Sequence, residues 1–383
     1  MQRPYYQREI AKQFRVHTAC SVLGPKQVGK TTLAKLFITE HPPEAVRRFD
    51  LENPIDLAKL ENPMIALSKP TSGLIVIDEI QLRPDLFPVL RVLIDENKER
   101  KFLILGSASR ELIRQSSETL AGRIGYIELM PFSLEETDQS PFLWLRGGFP
   151  LSFLARNEEE SVLWRQSYIT TFLERDIGNL GFQIPPQQMR RFWLMLAHYH
   201  GQIFNATEIG KSLGISDHTV RRYLDILAGT FMIRVLSSWF ENLEKRQVKS
   251  PKIYFRDSGI LHALLGIRTE EELDMHPKLG SFWEGFCLEE ICRTFQIPSE
   301  DCYFWKTQAG AELDLLLLKN GKRYGFEIKY TDHPKITRSM RVAFQDLKLD
   351  HLYVIFPGKE YFSLDTHITA CGLFVLTKIT DLK

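Results

Sequence analysis

The sequence has no apolar run long enough to cross a bilayer, so no α-helical membrane segment and no membrane partner are expected. Cysteine is scarce: Cys20, Cys287, Cys292, Cys302 and Cys371 are five in 383 residues, scattered and without metal-ligand spacing. An odd, dispersed set excludes a disulfide framework and a zinc ribbon, and it reads as reduced thiols. An excess of either charge is also missing, with 49 Lys and Arg against 48 Asp and Glu and a net charge of +1. That excludes a globally basic nucleic-acid binder but leaves room for a local basic patch. The opening Met1-Gln2-Arg3-Pro4-Tyr5-Tyr6 lacks the basic-then-apolar order of a secretory leader, and a cytoplasmic location is expected. What remains, 44% hydrophobic and 25% charged residues, is the composition of a soluble globular protein. At this length, two to four domains are expected.

The most informative stretch is Gly24-Pro25-Lys26-Gln27-Val28-Gly29-Lys30-Thr31-Thr32, a G-x-x-x-x-G-K-T loop. Before it, Ala19–Leu23 is short and apolar, as a buried parallel strand requires. After it, Thr32–Ile38 carries apolar residues at helical spacing. Gly24 and Gly29 permit a backbone whose N–H groups turn inward toward phosphate, and the helix N-terminus adds positive potential there. In this Walker A arrangement Lys30 reaches the β- and γ-phosphates of ATP, and the Thr31 hydroxyl ligates Mg²⁺. The run Gly73-Leu74-Ile75-Val76-Ile77-Asp78-Glu79 is the matching Walker B strand. Asp78 would hold Mg²⁺ and Glu79 would polarise the attacking water. Beyond the next strand, Lys101–Gly106, both Ser107 and Ser109 stand where a γ-phosphate sensor belongs; Ser107 is preferred, and helix capping is the competing role. Arg123, just before a fifth strand at 125–129, lies on the rim of this domain. It is either an arginine finger for a neighbouring subunit's ATP or a surface side chain at a helix end. Strands alternating with helices predict an α/β fold with a parallel sheet.

These motifs, with Leu74–Gln81, Leu103–Ser109, Leu120–Arg123 and Gly147-Gly148-Phe149-Pro150, resemble a bacterial and archaeal family of AAA-type ATPases whose C-terminal region is a domain of unknown function. Thr171–Ile177, Ser250–Gly259, Gly280–Phe286, Trp305–Asp314 and Phe326–Tyr330 extend the resemblance over nearly the whole chain. Lys26 departs from it, since Arg is more usual there. The resemblance implies a ring-forming ATPase, hence a homo-oligomer with a hexamer as the expected form, and supplies no substrate.

Residues 141–200 are expected to form a helical lid, within which Arg175 is either a second phosphate sensor or the partner of Asp176 in a structural ion pair. Residues 201–270 read as a winged helix-turn-helix: a helix at 207–213, a turn at Gly214-Ile215-Ser216 and a second helix at 217–227. Two strand-like runs follow, with the basic stretch 244–252 between them as the wing. Bound to DNA, His218, Thr219 and Arg222 would face the major groove, while Lys245, Arg246 and Lys249 would follow phosphates. A winged helix used only for protein packing is the alternative.

In the last segment, 271–383, Asn320-Gly321 is a two-residue hairpin turn. The register it sets opposes Asp314 to Glu327 and Glu312 to Lys329 on one face, with Leu313, Leu315 and Leu317 on the other. Opposed carboxylates repel unless a cation lies between them. Asp followed by Glu-x-Lys resembles the PD-(D/E)xK nuclease signature, although Leu313 stands where that signature has Pro. It implies a restriction-endonuclease-like α/β domain in which Asp314, Glu327 and Glu284 hold Mg²⁺ or Mn²⁺ and Lys329 activates water. Glu289 or Glu290 is a further acid on the same helix. Two functions fit this reading. One is an Mg²⁺-dependent ATPase acting on DNA, with a nuclease centre. The other is a regulatory ATPase that binds a protein partner and carries an inert nuclease-like domain. The expected division is 1–140, 141–200, 201–270 and 271–383.

Overall fold

A computed structural model describes residues 2–69, 73–109, 120–138, 141–241 and 246–382. Contacts gather them into two compact units. The first comprises Met1–Pro131, Thr171–Pro185 and Asp225–Met232; the second comprises Phe132–Thr170, Pro186–Leu224 and Ile233–Lys383. The finer boundaries expected near 140, 200 and 270 stand as proposals.

The first unit is built on strands β1 (Ala19–Leu23), β2 (Val46–Asp50), β3 (Gly73–Asp78), β4 (Arg100–Gly106) and β5 (Ile124–Glu128), all parallel in the order β2-β3-β4-β1-β5. Both faces are covered, which is why the central strands read as continuous apolar runs. On one face Leu23, Ile75, Ile77 and Ile104 pack with Leu90, Leu93 and Ile94 of the helix Leu86–Glu96. On the other, Val22, Val76, Leu103 and Leu105 pack with Ile10 of the helix Pro4–Val16 and with Leu33 and Phe37 of the helix Lys30–Ile38. Phe87 of the helix Leu86–Glu96 is buried as well. Asn53 and Asn62 each cap a short helix through the side-chain oxygen, accepting from Ile55 N at 3.0 Å and Ile65 N at 3.3 Å.

The second unit holds a helix-turn-helix, as far as Leu224 of its second helix, and a mixed sheet. Helices Ala206–Leu213 and Asp217–Gly229 are separated by Gly214 in the left-handed conformation, and Ser216 Oγ accepts from Thr219 N at 3.2 Å to cap the second. Ile209, Val220 and Leu224 are buried between them, while Leu213 is half-buried. The sheet contains β6 (Gln202–Ile203), β7 (Ile233–Ser238), β8 (Lys252–Phe255), β9 (Cys302–Lys306), β10 (Glu312–Lys319), β11 (Lys322–Ile328), β12 (His351–Phe356), β13 (Tyr361–Asp365) and β14 (Ile368–Gly372). Their order is β13-β14-β12-β11-β10-β9-β7-β8-β6. The strands that follow the helix-turn-helix thus belong to the same sheet as the C-terminal hairpin, through the parallel pairing of β7 with β9.

The hairpin turn forms as read: Asn320 and Gly321 both have positive φ, 53° and 74°, and Lys319 pairs with Lys322. One face expectation fails. The register between β9 and β10 shifts between Leu313 and Leu316, an irregularity that turns Leu313 away from Leu315 and Leu317. Leu313 joins Leu316, Leu352, Met340 and Ala343 under the helix Arg338–Asp346, while Leu315 and Leu317 pack with Phe286 and Ile291 of the helix Leu279–Phe295.

The acids Glu289 and Glu290 of that last helix are both buried and structurally engaged. Glu289 pairs with Arg234 and lies 3.6 Å from Arg256 and 3.8 Å from Arg293; against the cost of burial, these cations hold it down to about 2. Glu290 accepts from Leu134 N at 2.8 Å and pairs with Arg293 at 3.0 Å, yet burial raises it from its ordinary 4.5 to about 7. A raised carboxyl pKa means that the folded state binds the proton more tightly than the unfolded chain. Its stabilising contribution is present below about pH 4.5 and is lost as pH rises through about 7. Glu290→Gln should therefore gain stability relative to wild type between pH 5 and pH 8, by on the order of 3 kcal/mol at most. Urea unfolding of both proteins at the two pH values checks this.

Candidate functional site

In the first unit, the loop Gly24–Gly29 leaves β1 and enters the helix Lys30–Ile38. Gly24 packs so closely on the strand beside it that a Cβ there would stand 2.1 Å from Leu129 O. Gln27 and Gly29 have φ of 63° and 98°, and no side chain caps the helix, so its first amides are left for a ligand. The Lys30 ammonium is buried and donates to Gly24 O and Pro25 O, both at 2.9 Å. Burial lowers its pKa, opposed by Glu79 and Asp78. A desolvated cation beside uncapped amides is a site built for an anion.

Walker A and Walker B meet directly. The Thr31 hydroxyl donates to Asp78 Oδ2 at 2.7 Å, and Arg48 from β2 reaches the same oxygen at 3.3 Å. Burial raises the Asp78 pKa, and the Thr31 hydrogen bond works against it. Glu79, in the left-handed region at φ 59°, is turned toward the end of β4. There Ser107 Oγ donates to Glu79 Oε2 at 3.0 Å, and the Gln81 amide donates to that oxygen and to Ser107 Oγ, the latter at 2.7 Å. Ser107 is thus the serine joined to the catalytic candidate, while Ser109 donates its backbone N–H to Gly229 O at 2.7 Å. Thr31, Asp78 and the loop fit a Mg²⁺–nucleotide: an adjacent hydroxyl and carboxylate are the oxygen donors that Mg²⁺ prefers.

Four side chains around this cradle were not read from the sequence in these roles. Gln81 links Glu79 to Ser107; the only signal was an amide two residues past the Walker B acids. Arg48 comes from β2. Glu52 and Asp176 both pair with Lys26, at 3.0 and 3.2 Å. Burial would lower the Lys26 pKa, but the Glu52 hydrogen bond and Asp176 hold it above its ordinary value. Asp176 lies at the end of a π-helical turn, Phe172–Asp176. The expected Arg175–Asp176 pair gives way to Lys26–Asp176 and Arg175–Glu52, the latter at 3.3 Å. On the rim, Arg123 makes a bidentate pair with Asp95, at 2.6 and 3.0 Å, and remains solvent-accessible.

In the second unit, His218 and Arg222 are exposed on the second helix of the helix-turn-helix. Thr219 is half-buried, with its hydroxyl 3.0 Å from Ser216 Oγ, and so serves the cap. Arg246 and Lys249 are exposed, Lys249 lying over the Phe240 ring, whereas Lys245 lies outside the described residues. Lys252, read as part of the basic wing, is instead buried at 3% exposure. It sits on β8 and pairs with Glu284 at 3.0 Å and Glu312 at 2.6 Å.

That lysine changes the carboxylate site. Glu312 is partnered by Lys252 and by Lys306, its cross-strand neighbour on β9, at 2.6 Å, and not by Lys329. Lys329 pairs with Glu327 at 2.7 Å. Asp314 Oδ2 accepts from Ile328 N at 2.8 Å, and its pKa is pushed well up by burial and by the neighbouring Glu327 and Glu284. Tyr254 donates to Glu284. Asp314, Glu327 and Glu284 share one neighbourhood, but among the described residues no three His, Cys, Asp or Glu side chains converge as a metal-ligand set. The acids expected to hold the metal are engaged within the chain instead: Glu284 by Lys252, Glu327 by Lys329 and Asp314 by the Ile328 amide.

Comparisons with known proteins agree with the layout. A family model described as an AAA domain matches residues 16–137, and models described as domains of unknown function, DUF8612 and DUF4143, match 137–271 and 279–375. The uncharacterised proteins Rv2008c of Mycobacterium tuberculosis and Mb2031c of Mycobacterium bovis are each 50% identical over 370 residues, 95% of this chain and 82% of theirs. Among solved structures, the Walker-type ATPase PABY2304 of Pyrococcus abyssi aligns with a TM-score of 0.48 at 14% identity, over 69% of this chain and 95% of that one. A RuvB variant of Thermotoga maritima aligns with a TM-score of 0.33 at 14% identity, over 61% and 89%. By its identity to the mycobacterial proteins and its matched domains, the chain belongs to their family, AAA-type ATPases with a C-terminal DUF4143 domain.

Proposed function

We propose that this protein binds ATP with Mg²⁺ and hydrolyses it. The observation that supports this most is the convergence of a buried Lys30, the Thr31–Asp78 contact and the Glu79–Gln81–Ser107 network at one uncapped helix N-terminus. On nucleotide binding, Lys30 exchanges its two loop carbonyls for phosphate oxygens, a stronger charge-assisted partner. Thr31 and Asp78 hold Mg²⁺, which neutralises phosphate charge when bound. Glu79 orients water and takes its proton, while Gln81 and Ser107 fix the direction of its carboxylate. Arg123 acts across the interface of a homo-oligomeric ring, expected as a hexamer, once released from Asp95.

The work driven by this cycle is action on DNA, contacted by His218, Thr219 and Arg222 with Arg246, Lys249 and Lys245 along phosphates; the exposure of His218, Arg222, Arg246 and Lys249 supports this. A second reading, a regulatory switch that binds a protein partner, draws support from the neutralised carboxylate site, which offers no free ligand set for a nuclease metal.

Lys30→Ala should weaken ATP binding by on the order of 100-fold. Glu79→Gln should keep ATP bound and lower turnover by roughly 10²-fold or more. Arg123→Ala should leave binding intact and lower turnover, by up to roughly 10³-fold if it is a finger. Nucleotide titration and phosphate-release assays read these, and normal turnover in Glu79→Gln would remove Glu79 from its role. On duplex DNA, log K should fall linearly with log salt, and Arg246→Ala or Lys249→Ala should each reduce the slope by about 1. No binding at low salt, with or without ATP, would favour the switch.

A further inference from the structure

We propose that the Lys252 ammonium stands in for a metal ion at the carboxylate cluster of the second unit, making it a fixed ionic clamp between β8, β10 and the helix Leu279–Phe295 in place of a metal-dependent hydrolytic centre. This deepens the switch reading, rests on it for its functional meaning, and does not depend on ATP hydrolysis.

A divalent metal needs several carboxylate oxygens free and aimed at one point, within about 2.0–2.6 Å of it. Here each acid has at least one oxygen already engaged by the chain itself. Glu284 Oε1 accepts from Lys252 at 3.0 Å and from the Tyr254 hydroxyl. The two Glu312 oxygens are shared between Lys252 and Lys306, each at 2.6 Å. Glu327 Oε1 is held by Lys329 at 2.7 Å, and Asp314 Oδ2 by the Ile328 amide at 2.8 Å. Glu327 Oε2 is buried with no hydrogen-bond partner.

Charge gives the same answer. Four carboxylates, Glu284, Glu312, Asp314 and Glu327, face three ammonium groups, Lys252, Lys306 and Lys329, so most of the negative charge is matched within the chain. Adding two further positive charges to this cluster would be opposed by every ammonium already there. Nor can Lys252 readily withdraw. It is 3% exposed on a strand whose next three residues, Ile253, Tyr254 and Phe255, are buried. It is paired on both sides, with Leu236 of β7 and Ile203 of β6. Moving its side chain into water would expose the four-carbon stem and leave Glu284 without an ammonium and Glu312 with Lys306 alone.

The test is Mn²⁺ binding to the nucleotide-free full-length protein, followed by electron paramagnetic resonance of the free ion. Leaving out nucleotide keeps the Walker site from contributing, so the outcome is separate from that of the ATPase assays. Wild type and Asp314→Asn should bind equally little Mn²⁺. Lys252→Gln should bind at least about tenfold tighter than wild type, and adding Asp314→Asn should abolish the gain. Mn²⁺ binding by wild type that is lost in Asp314→Asn would overturn the proposal, as would a folded Lys252→Gln protein with no gain. If Lys252→Gln does not fold, the comparison of wild type with Asp314→Asn decides alone, and Lys252→Arg, which keeps the charge, should match wild type in both folding and Mn²⁺ binding.

Discussion

A buried ammonium without a buried counter-ion in contact is costly, and the first unit is arranged around one. Lys30 lies at the start of its helix, buried, with only the carbonyls of Gly24 and Pro25 as acceptors at 2.9 Å. Neutral carbonyls recover part of the hydration it has lost. The nearby acids, Asp78 and Glu79, are themselves committed to Thr31, Arg48, Gln81 and Ser107. The neighbouring features follow from this one. Close packing of Gly24 on the Leu129 carbonyl fixes where the loop begins, and left-handed residues at Gln27 and Gly29 turn it back toward the lysine. The absence of a side-chain cap leaves helix amides pointing where a phosphate would go.

The second unit handles buried charge differently, by pairing it within the chain. Arg234 with Glu289, Lys252 with Glu284 and Glu312, and Arg293 with Glu290 each join segments that the sequence keeps apart or a helix to its own next turn. Such pairs contribute little net stability but fix geometry, because removing one partner strands the other in a dry interior. The contrast separates the units chemically. In one, a cation is left with only weak acceptors and calls for a ligand. In the other, cations and anions are matched, and the cluster that resembles a nuclease centre is the clearest case.

How much of this was legible depended on range. Features fixed by neighbours in sequence were readable: the Walker loop and its flanking strand and helix, the five parallel strands, the helix-turn-helix with its Ser216 cap, and the Asn320-Gly321 turn with its register. Errors arose where a distant segment intervened. A register shift beside β9 moved Leu313 to the other face, which a two-strand count does not anticipate. Lys252 looked like a wing residue because its partners, Glu284 and Glu312, lie 32 and 60 positions away. Asp176 reaches Lys26 from a turn 150 residues downstream, so nothing local marked it as part of the nucleotide cradle.

The central claim is that the cradle recognises phosphate through a desolvated lysine and helix amides. Calorimetric titration of wild-type protein with adenosine, AMP, ADP and ATP, all with Mg²⁺, tests it most directly. The account predicts undetectable or millimolar binding of adenosine and AMP, with affinity rising sharply once β- and γ-phosphates are present. Equal binding of adenosine and ATP would contradict it.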